Sequence, residues 1–166
     1  MVPIQRPGQS RQDYRTPPIF LRAVKRRFHL TTFTFDFAAD ATNATAPTWW
    51  SASDNSLTQS VADWTARCQG GYGWLNPPFG DIRPWTHHCQ ETGAAGGRLL
   101  FLAPASVGSN WFRDSVDGHA RVLFLNGRLA FMPDKPTWLY PKDCALLLYG
   151  PGAAAYDNYD IWRWRS

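Results

Sequence analysis

The chain has 166 residues, 44% of them hydrophobic and 18% charged, which is enough apolar material for one domain with a real core and excludes an intrinsically disordered chain. No apolar run reaches the ~18 positions of a membrane span, and the N-terminal MVPIQRPGQSRQDYR has no apolar signal core behind its charges, so a soluble, cytoplasmic protein is expected. Cys68, Cys89 and Cys144 are odd in number and far apart, which leaves no disulfide framework or zinc knuckle to read from their spacing; buried, reduced thiols are expected.

The 9 Trp, 10 Phe and 6 Tyr exceed what filling one core requires, so some should face ligands or partners. The net charge of +4 is unevenly placed: Arg6, Arg11, Arg15, Arg22, Lys25, Arg26 and Arg27 stand against Asp13 alone near the N-terminus, leaving the rest net acidic. Such a segment either suits a polyanion such as nucleic acid or serves as a solubilising arm.

Residues 1–15 are polar and aperiodic and read as a flexible basic arm, followed by a domain over residues 16–150 and a tail over 151–166. Pro17 and Pro18 suit the first turn of a helix. In it Ile19, Phe20, Ala23, Val24 and Phe28 fall near a 3.6-residue repeat, with Arg22, Lys25 and Arg26 on the other side. FTFDFAA, residues 33–39, alternates enough for a strand. The polar stretch ADATNATAPTWWSASDNS after it is long for a loop, and loops of that length tend to border a site.

A short helical or turn segment over 57–64 leads to a strand over 72–76 that two prolines stop, and a helix follows from Pro84 to Gly93. GRLLFLA, residues 97–103, is the apolar run of a strand buried on both faces. Ser109 can cap a helix over NWFRDSV, and ARVLFL, residues 120–125, is the next strand. Asn126–Gly127 signals a hairpin that returns Leu129–Met132 antiparallel, and DCALLLYG, residues 143–150, is a last buried strand. This order predicts a three-layer α/β domain whose mostly parallel, mixed sheet carries an antiparallel C-terminal edge.

Chemistry concentrates in Asn76-Pro77-Pro78-Phe79, at the carboxyl end of a predicted parallel strand, where open α/β sheets bind ligands. The prolines stiffen the backbone, so the Asn76 side-chain oxygen and the Pro77 carbonyl can both stand as fixed acceptors. Neither takes a proton at neutral pH, but together they suit a planar NH₂ group. Holding both hydrogens favours a pyramidal nitrogen with a free lone pair, which stabilises charge developing in a transition state. Phe79 can stack on a base, a contact worth ~1–3 kcal/mol. The plainer reading of NPPF is a rigid turn after a strand.

The ordered series Thr16-Pro17, Phe35-Asp36-Phe37-Ala38-Ala39-Asp40, Asp54-Asn55-Ser56-Leu57, Trp74 to Phe79, Leu102-Ala103-Pro104-Ala105, Trp111-Phe112 and Gly127-Arg128-Leu129-Ala130-Phe131 resembles the small phage-type DNA N-6-adenine methyltransferases over roughly residues 13–150. The resemblance implies a Rossmann-like methyltransferase fold, S-adenosylmethionine as methyl donor, and a phage or prophage origin. It puts Thr16 and Pro17 near the donor's methionine part and Asp36 with Ala38 in place of the usual glycine-rich first motif, although Asp36 otherwise reads as a loop cap. Asp54 then accepts from the donor's adenine or ribose, or else caps a helix.

The basic residues Arg22, Lys25 and Arg26 are read as phosphate contacts on DNA, and Arg128 as a phosphate contact or a solvated hairpin arginine. His87 and His88 are adjacent, about 100° apart on a helix, and make no metal site. Trp111 and Phe112 read as core. The tail YDNYDIWRWRS either grips nucleic acid by stacking and charge or forms an edge strand.

The function expected is transfer of a methyl group to the adenine N6 of DNA, with the base flipped out of the stack. Two alternatives compete: a nucleic-acid-binding module with a decayed cofactor site, and a methyltransferase acting on a protein glutamine amide.

Overall fold

The computed structural model describes residues 15–132, 134–153 and 159–166, so all of the expected basic arm except Arg15 lies outside the described residues. The chain forms α1 (Pro18–Arg27), a 3₁₀ turn (Ser56–Thr58), α2 (Val61–Arg67), β1 (Gly73–Leu75), α3 (Arg83–Ala94), β2 (Leu99–Pro104), α4 (Asn110–Ser115), β3 (Arg121–Leu125), β4 (Cys144–Tyr149) and β5 (Tyr159–Trp162).

Every side chain of β2 and β4 is buried, which requires cover on both faces of the sheet. Leu100, Leu102, Leu146 and Leu148 point to one face and meet Phe20, Ala23 and Val24 of α1. Leu99, Phe101, Ala145 and Leu147 point to the other and meet Trp64 and Cys68 of the α2 region, Cys89 of α3 and Phe112 of α4. Three layers result. Cys68, Cys89 and Cys144 are free and buried in these cores, and burial pushes the Cys68 and Cys144 thiols up to about 12. No described helix is long and apolar enough to cross a membrane.

The strand order is β1-β2-β4-β3-β5. β1 pairs parallel with β2 and β3 with β5, while β4 runs antiparallel between β2 and β3. The antiparallel strand is therefore interior and the C-terminal edge is parallel, the reverse of the expected edge. Both sides of β3 are already taken, by β4 and β5, so Leu129–Met132 finds no edge to pair with and the expected hairpin does not form. Instead Gly127 turns with φ +110°, Asn126 N–H donates to Trp162 O at 2.9 Å, and Leu129 and Phe131 drop into the core beside α1.

FTFDFAA also departs from a regular strand. Phe33 enters the core on the α1 face whereas Phe35 and Phe37 enter the opposite one, so the two-residue alternation breaks between Phe33 and Phe35 and no continuous pleat runs through the segment. The segment still runs beside β1, with Trp74 N–H donating to Phe35 O at 2.8 Å and Phe37 N–H to Trp74 O at 2.9 Å. Ser109 sits at the start of α4, but its hydroxyl donates to Ser106 O at 2.6 Å and does not cap the helix. Trp111 and Phe112 pack in the core, as expected for such side chains.

Gly73 shows how tightly this edge is assembled: a Cβ there would lie 2.4 Å from Cε2 of Phe37. Phe37 cannot retreat, because its ring stacks on Trp64 at 4.2 Å. Gly73→Ala should therefore cost about 1–3 kcal/mol of unfolding free energy by overpacking, read as a lower urea midpoint with an unchanged slope.

Candidate active site

Asn76 follows Leu75 directly at the carboxyl end of β1. Its Nδ2 donates to Thr16 Oγ1 at 2.9 Å across 60 residues of sequence. Thr16 is 9% exposed and stands just before α1, where Phe20 N–H and Leu21 N–H close on Pro17 O. With its nitrogen engaged, the Asn76 amide presents Oδ1 as an acceptor that has no donor among the described residues, and the Pro77 carbonyl likewise receives none. Two uncharged acceptors on a proline-stiffened turn are able to take the two hydrogens of a planar amino group.

Beside this turn lies a cavity of about 300 Å³, within the size range of small-molecule sites. Thr16, Asp36, Ala38, Asn76, Pro77 and Pro78 line it. Pro17, Asp54 and Phe79 do not. Pro17 instead caps α1 with its carbonyl. Asp54 Oδ2 accepts from the Ser51 N–H and hydroxyl at 2.7 Å each, and those bonds hold its carboxyl below the usual range. It caps a turn and not a helix, the second of the two readings given for it, and its neighbours Asn55 and Ser56 reach the cavity.

Phe79 lies on the far side of the NPP turn, half-buried, with its ring 5.8 Å from Phe131 and 5.7 Å from Tyr140. The long polar loop borders the cavity as expected, through Asn43, Thr45, Ser51 and Asn55. Arg15, Phe37, Asp40, Trp74 and Trp85 also line it; Phe37, Asp40 and Trp74 fall within the ordered motifs without a role of their own, and Trp85 lies outside them.

The loop over residues 36–45 is built around two carboxylates. Asp36, 2% exposed, accepts from Ala38 N–H at 3.2 Å, Thr45 N–H at 2.9 Å and Thr45 Oγ1 at 2.7 Å. Asp40 accepts from Thr42 N–H and Thr42 Oγ1 at 2.6 Å each, and Thr42 Oγ1 in turn accepts from Arg15 Nη2 at 2.8 Å. Those hydrogen bonds, with Arg15 nearby, lower the Asp40 carboxyl. Asn55 takes a left-handed φ of 49°, a conformation asparagine tolerates well. The turn is tied by Asp36 through Ala38 N–H, and Ala38 and Ala39 line the cavity with small side chains.

Of the residues read as DNA contacts, Arg22, Lys25 and Arg26 lie on α1 and Arg128 on the turn after β3. Arg22 is exposed, Lys25 Nζ lies 5.4 Å from the Phe33 ring centre, and Arg26 donates to Ser166 O at 3.4 Å. Arg128 pairs with Asp143 at 3.4 Å, both exposed. His88 meets Gln59 O at 3.0 Å while His87 faces Glu91 at 3.6 Å, so the two imidazoles serve different neighbours. No group of three metal-ligating side chains occurs among the described residues.

Burial outweighs the three hydrogen bonds at Asp36 and raises its carboxyl above 3.8. A raised carboxyl contributes stability that is full below the unfolded pKa and is lost as pH rises through the folded one. Carbon-13 NMR of the Asp36 carboxyl should give a midpoint above 3.8, and wild type should gain stability over Asp36→Asn as pH falls through that midpoint toward 3.8. A midpoint below 3.8 would mean that the Thr45 and Ala38 donors win.

No curated protein matches the chain in a sequence comparison. The sequence model of the family described as DNA N-6-adenine-methyltransferase (Dam) matches residues 5–140, a range that takes in α1, the Asp36 loop, the Asn76–Phe79 turn and the cavity they line, and the chain belongs to that family.

Proposed function

We propose that the protein transfers a methyl group from S-adenosylmethionine to the N6 amino group of adenine at specific sites in DNA. The observation that carries this reading is the Asn76–Thr16 hydrogen bond, which spends the amide nitrogen on the protein and leaves Asn76 Oδ1, beside the Pro77 carbonyl, for the amine. An aromatic amine is a weak nucleophile because its lone pair is delocalised. Two acceptors that hold both of its hydrogens favour the pyramidal form and stabilise the positive charge that grows on nitrogen as the new bond forms. Neither acceptor keeps the proton that the product must lose, so it leaves to solvent.

When bound, S-adenosylmethionine supplies an electrophilic methyl group on a sulfonium. The cavity suits such a molecule: Phe37, Trp74 and Trp85 offer apolar faces, Asp40, Asn43 and Asn55 offer polar partners for hydroxyl or ammonium groups, and Arg15 is a cation at the side of Thr16. This supports the enzyme reading over a binding module with a decayed cofactor site. Family membership favours an adenine amine over a glutamine amide.

The adenine would have to leave the duplex to reach the turn, with the half-buried Phe79 ring as its stacking partner. No insertion within this sequence is long enough for a separate recognition domain, so recognition by this chain is short, loose, or supplied by the loops over 41–56 and 132–142.

Labelled S-adenosylmethionine with adenine-containing and adenine-free duplexes tests the reaction. Label should enter only the adenine duplex, and Asn76→Ala should lower the rate about 10²-fold or more, the scale of removing one preorganised acceptor that acts in the transition state. Label in a protein instead of DNA would favour the glutamine reading. No rise in melting temperature with saturating S-adenosylhomocysteine would favour the binding module.

Thr16→Val should lower kcat about 3- to 10-fold with little change in KM, the scale of one hydrogen bond, and Thr16→Ser should restore it. Equal kcat in all three would remove Thr16 from the positioning of Asn76.

A further inference from the structure

Residues 159–166 lie beyond the family match of 5–140 and touch neither the cavity nor the NPP turn. Their aromatic and basic residues part company in the fold. Trp162 and Trp164, 9% and 3% exposed, pack on Phe20 of α1 with ring centres 5.7 and 5.3 Å away. Buried rings have no face left for a base, so stacking is excluded for them. Arg163 and Arg165 alternate outward into solvent.

The segment that carries those two arginines meets the basic end of α1, although some 140 residues separate the two. Arg26 Nη2 donates to Ser166 O at 3.4 Å, the Arg27 guanidinium stands 5.0 Å from the Trp162 ring centre, and Arg22 lies one helical turn before Arg26. Ser166 N–H and Oγ both donate to Arg163 O, which folds the terminus back on itself. Arg22, Arg26 and Arg27 thus adjoin the segment that carries Arg163 and Arg165, the latter with its Nη2 on Arg128 O at 2.9 Å. Among the described residues none of the five is in an ion pair, whereas Arg113, Arg121 and Arg128 each have an aspartate. Net-positive, unneutralised side chains from two remote segments, gathered at one place, fit a row of phosphates.

We propose that this joint surface of α1 and the C-terminal segment grips the sugar–phosphate backbone of duplex DNA to one side of the adenine held at Asn76. The inference rests on the DNA reading above. Helix α1 links the two places: its N-terminal side is fixed to Asn76 through Thr16, and its last turn carries the cations. Ten residues of helix span about 15 Å, which is roughly four base pairs at ~3.4 Å each along one strand. A duplex that delivers a base to the NPP turn and lies along α1 therefore meets these arginines. The contact is with backbone, so it adds affinity without sequence preference.

The test is the salt dependence of duplex binding for wild type, the double variant Arg163→Ala/Arg165→Ala and the charge-keeping Arg163→Lys/Arg165→Lys. Each phosphate that goes unneutralised should lower the slope of log Kobs against log salt by about 0.9, so the alanine pair should lower it by about 1.8 and the lysine pair should restore it. The rise in melting temperature with S-adenosylhomocysteine should be equal in all three, which reports an intact cavity.

Equal slopes for wild type and the alanine pair overturn the proposal. Tighter binding of wild type to phosphatidylserine vesicles than to duplex, abolished in the alanine pair, also overturns it, because the anion would then be a membrane surface. Failure of the functional reading shows separately: wild type would bind duplex with the arginine-dependent slope yet place no label in it, and the backbone grip would stand without the reaction.

Discussion

Burial of both faces of β2 and β4 is the constraint from which the site follows. Leu99–Pro104 and Cys144–Tyr149 leave no side chain in water, and at about 25 cal/mol per Å² each uncovered leucine face would cost more than a surface ion pair returns. One face has α2, α3 and α4 to cover it. The other has mainly α1, the long loops and the C-terminal tryptophans. Because Thr16 immediately precedes α1, the same docking that covers Leu100 and Leu146 carries Thr16 to the end of β1, where it meets Asn76. A core requirement thereby fixes a polar contact across 60 residues.

The cavity edge is assembled differently, from hydrogen bonds within a loop. Asp36 and Asp40 each gather several nearby donors, and Ser51 and Asp54 close a further turn. Such a loop holds its shape with little apolar burial of its own. Its anchor into the core is the pair Phe37 and Ser56: Phe37 stacks on Trp64, and Ser56 Oγ donates to Phe37 O while Trp64 Nε1 donates to Ser56 O at 2.9 Å. The close approach of Gly73 to Phe37 completes the clamp. Phe37 therefore belongs both to the core and to the cavity wall, so packing errors at β1 should reach the site.

The parts of this arrangement legible in the sequence are those carried by local pattern. The 3.6-residue repeat of Phe20, Ala23 and Val24 marked α1, the apolar runs marked β2 and β4, and Asn-Pro-Pro after an aromatic strand marked the turn. Strand order was not local. Nothing in ARVLFL or DCALLLYG says that β4 inserts between β2 and β3, and Asn126–Gly127 favours a hairpin by chemistry that tertiary pairing overrides once both sides of β3 are occupied. Within the site, Asp36 and Ala38 were visible through an ordered motif, whereas Arg15 and Trp85 reach the cavity only through folding. Asp54 shows the opposite case, a motif position that lies off the cavity and whose Oδ2 is held by its own turn.

The C-terminal segment ties these levels together. β5 pairs with β3 in parallel register, Val122 opposite Tyr159 through Leu125 opposite Trp162, and this sets Trp162 and Trp164 against Phe20. Trp164 Nε1 also donates to Gly127 O at 2.8 Å, and Arg165 to Arg128 O at 2.9 Å, so the turn after β3 is held by the last residues of the chain. Phe20 is buried without remainder between the sheet and these tryptophans. Loosening β5 would uncover Phe20, free α1 to shift on the sheet, and move Thr16 away from Asn76. The far edge of the sheet is thus mechanically connected to the amide at the other edge by one ten-residue helix, whose inner face serves the core and whose outer face carries the charge.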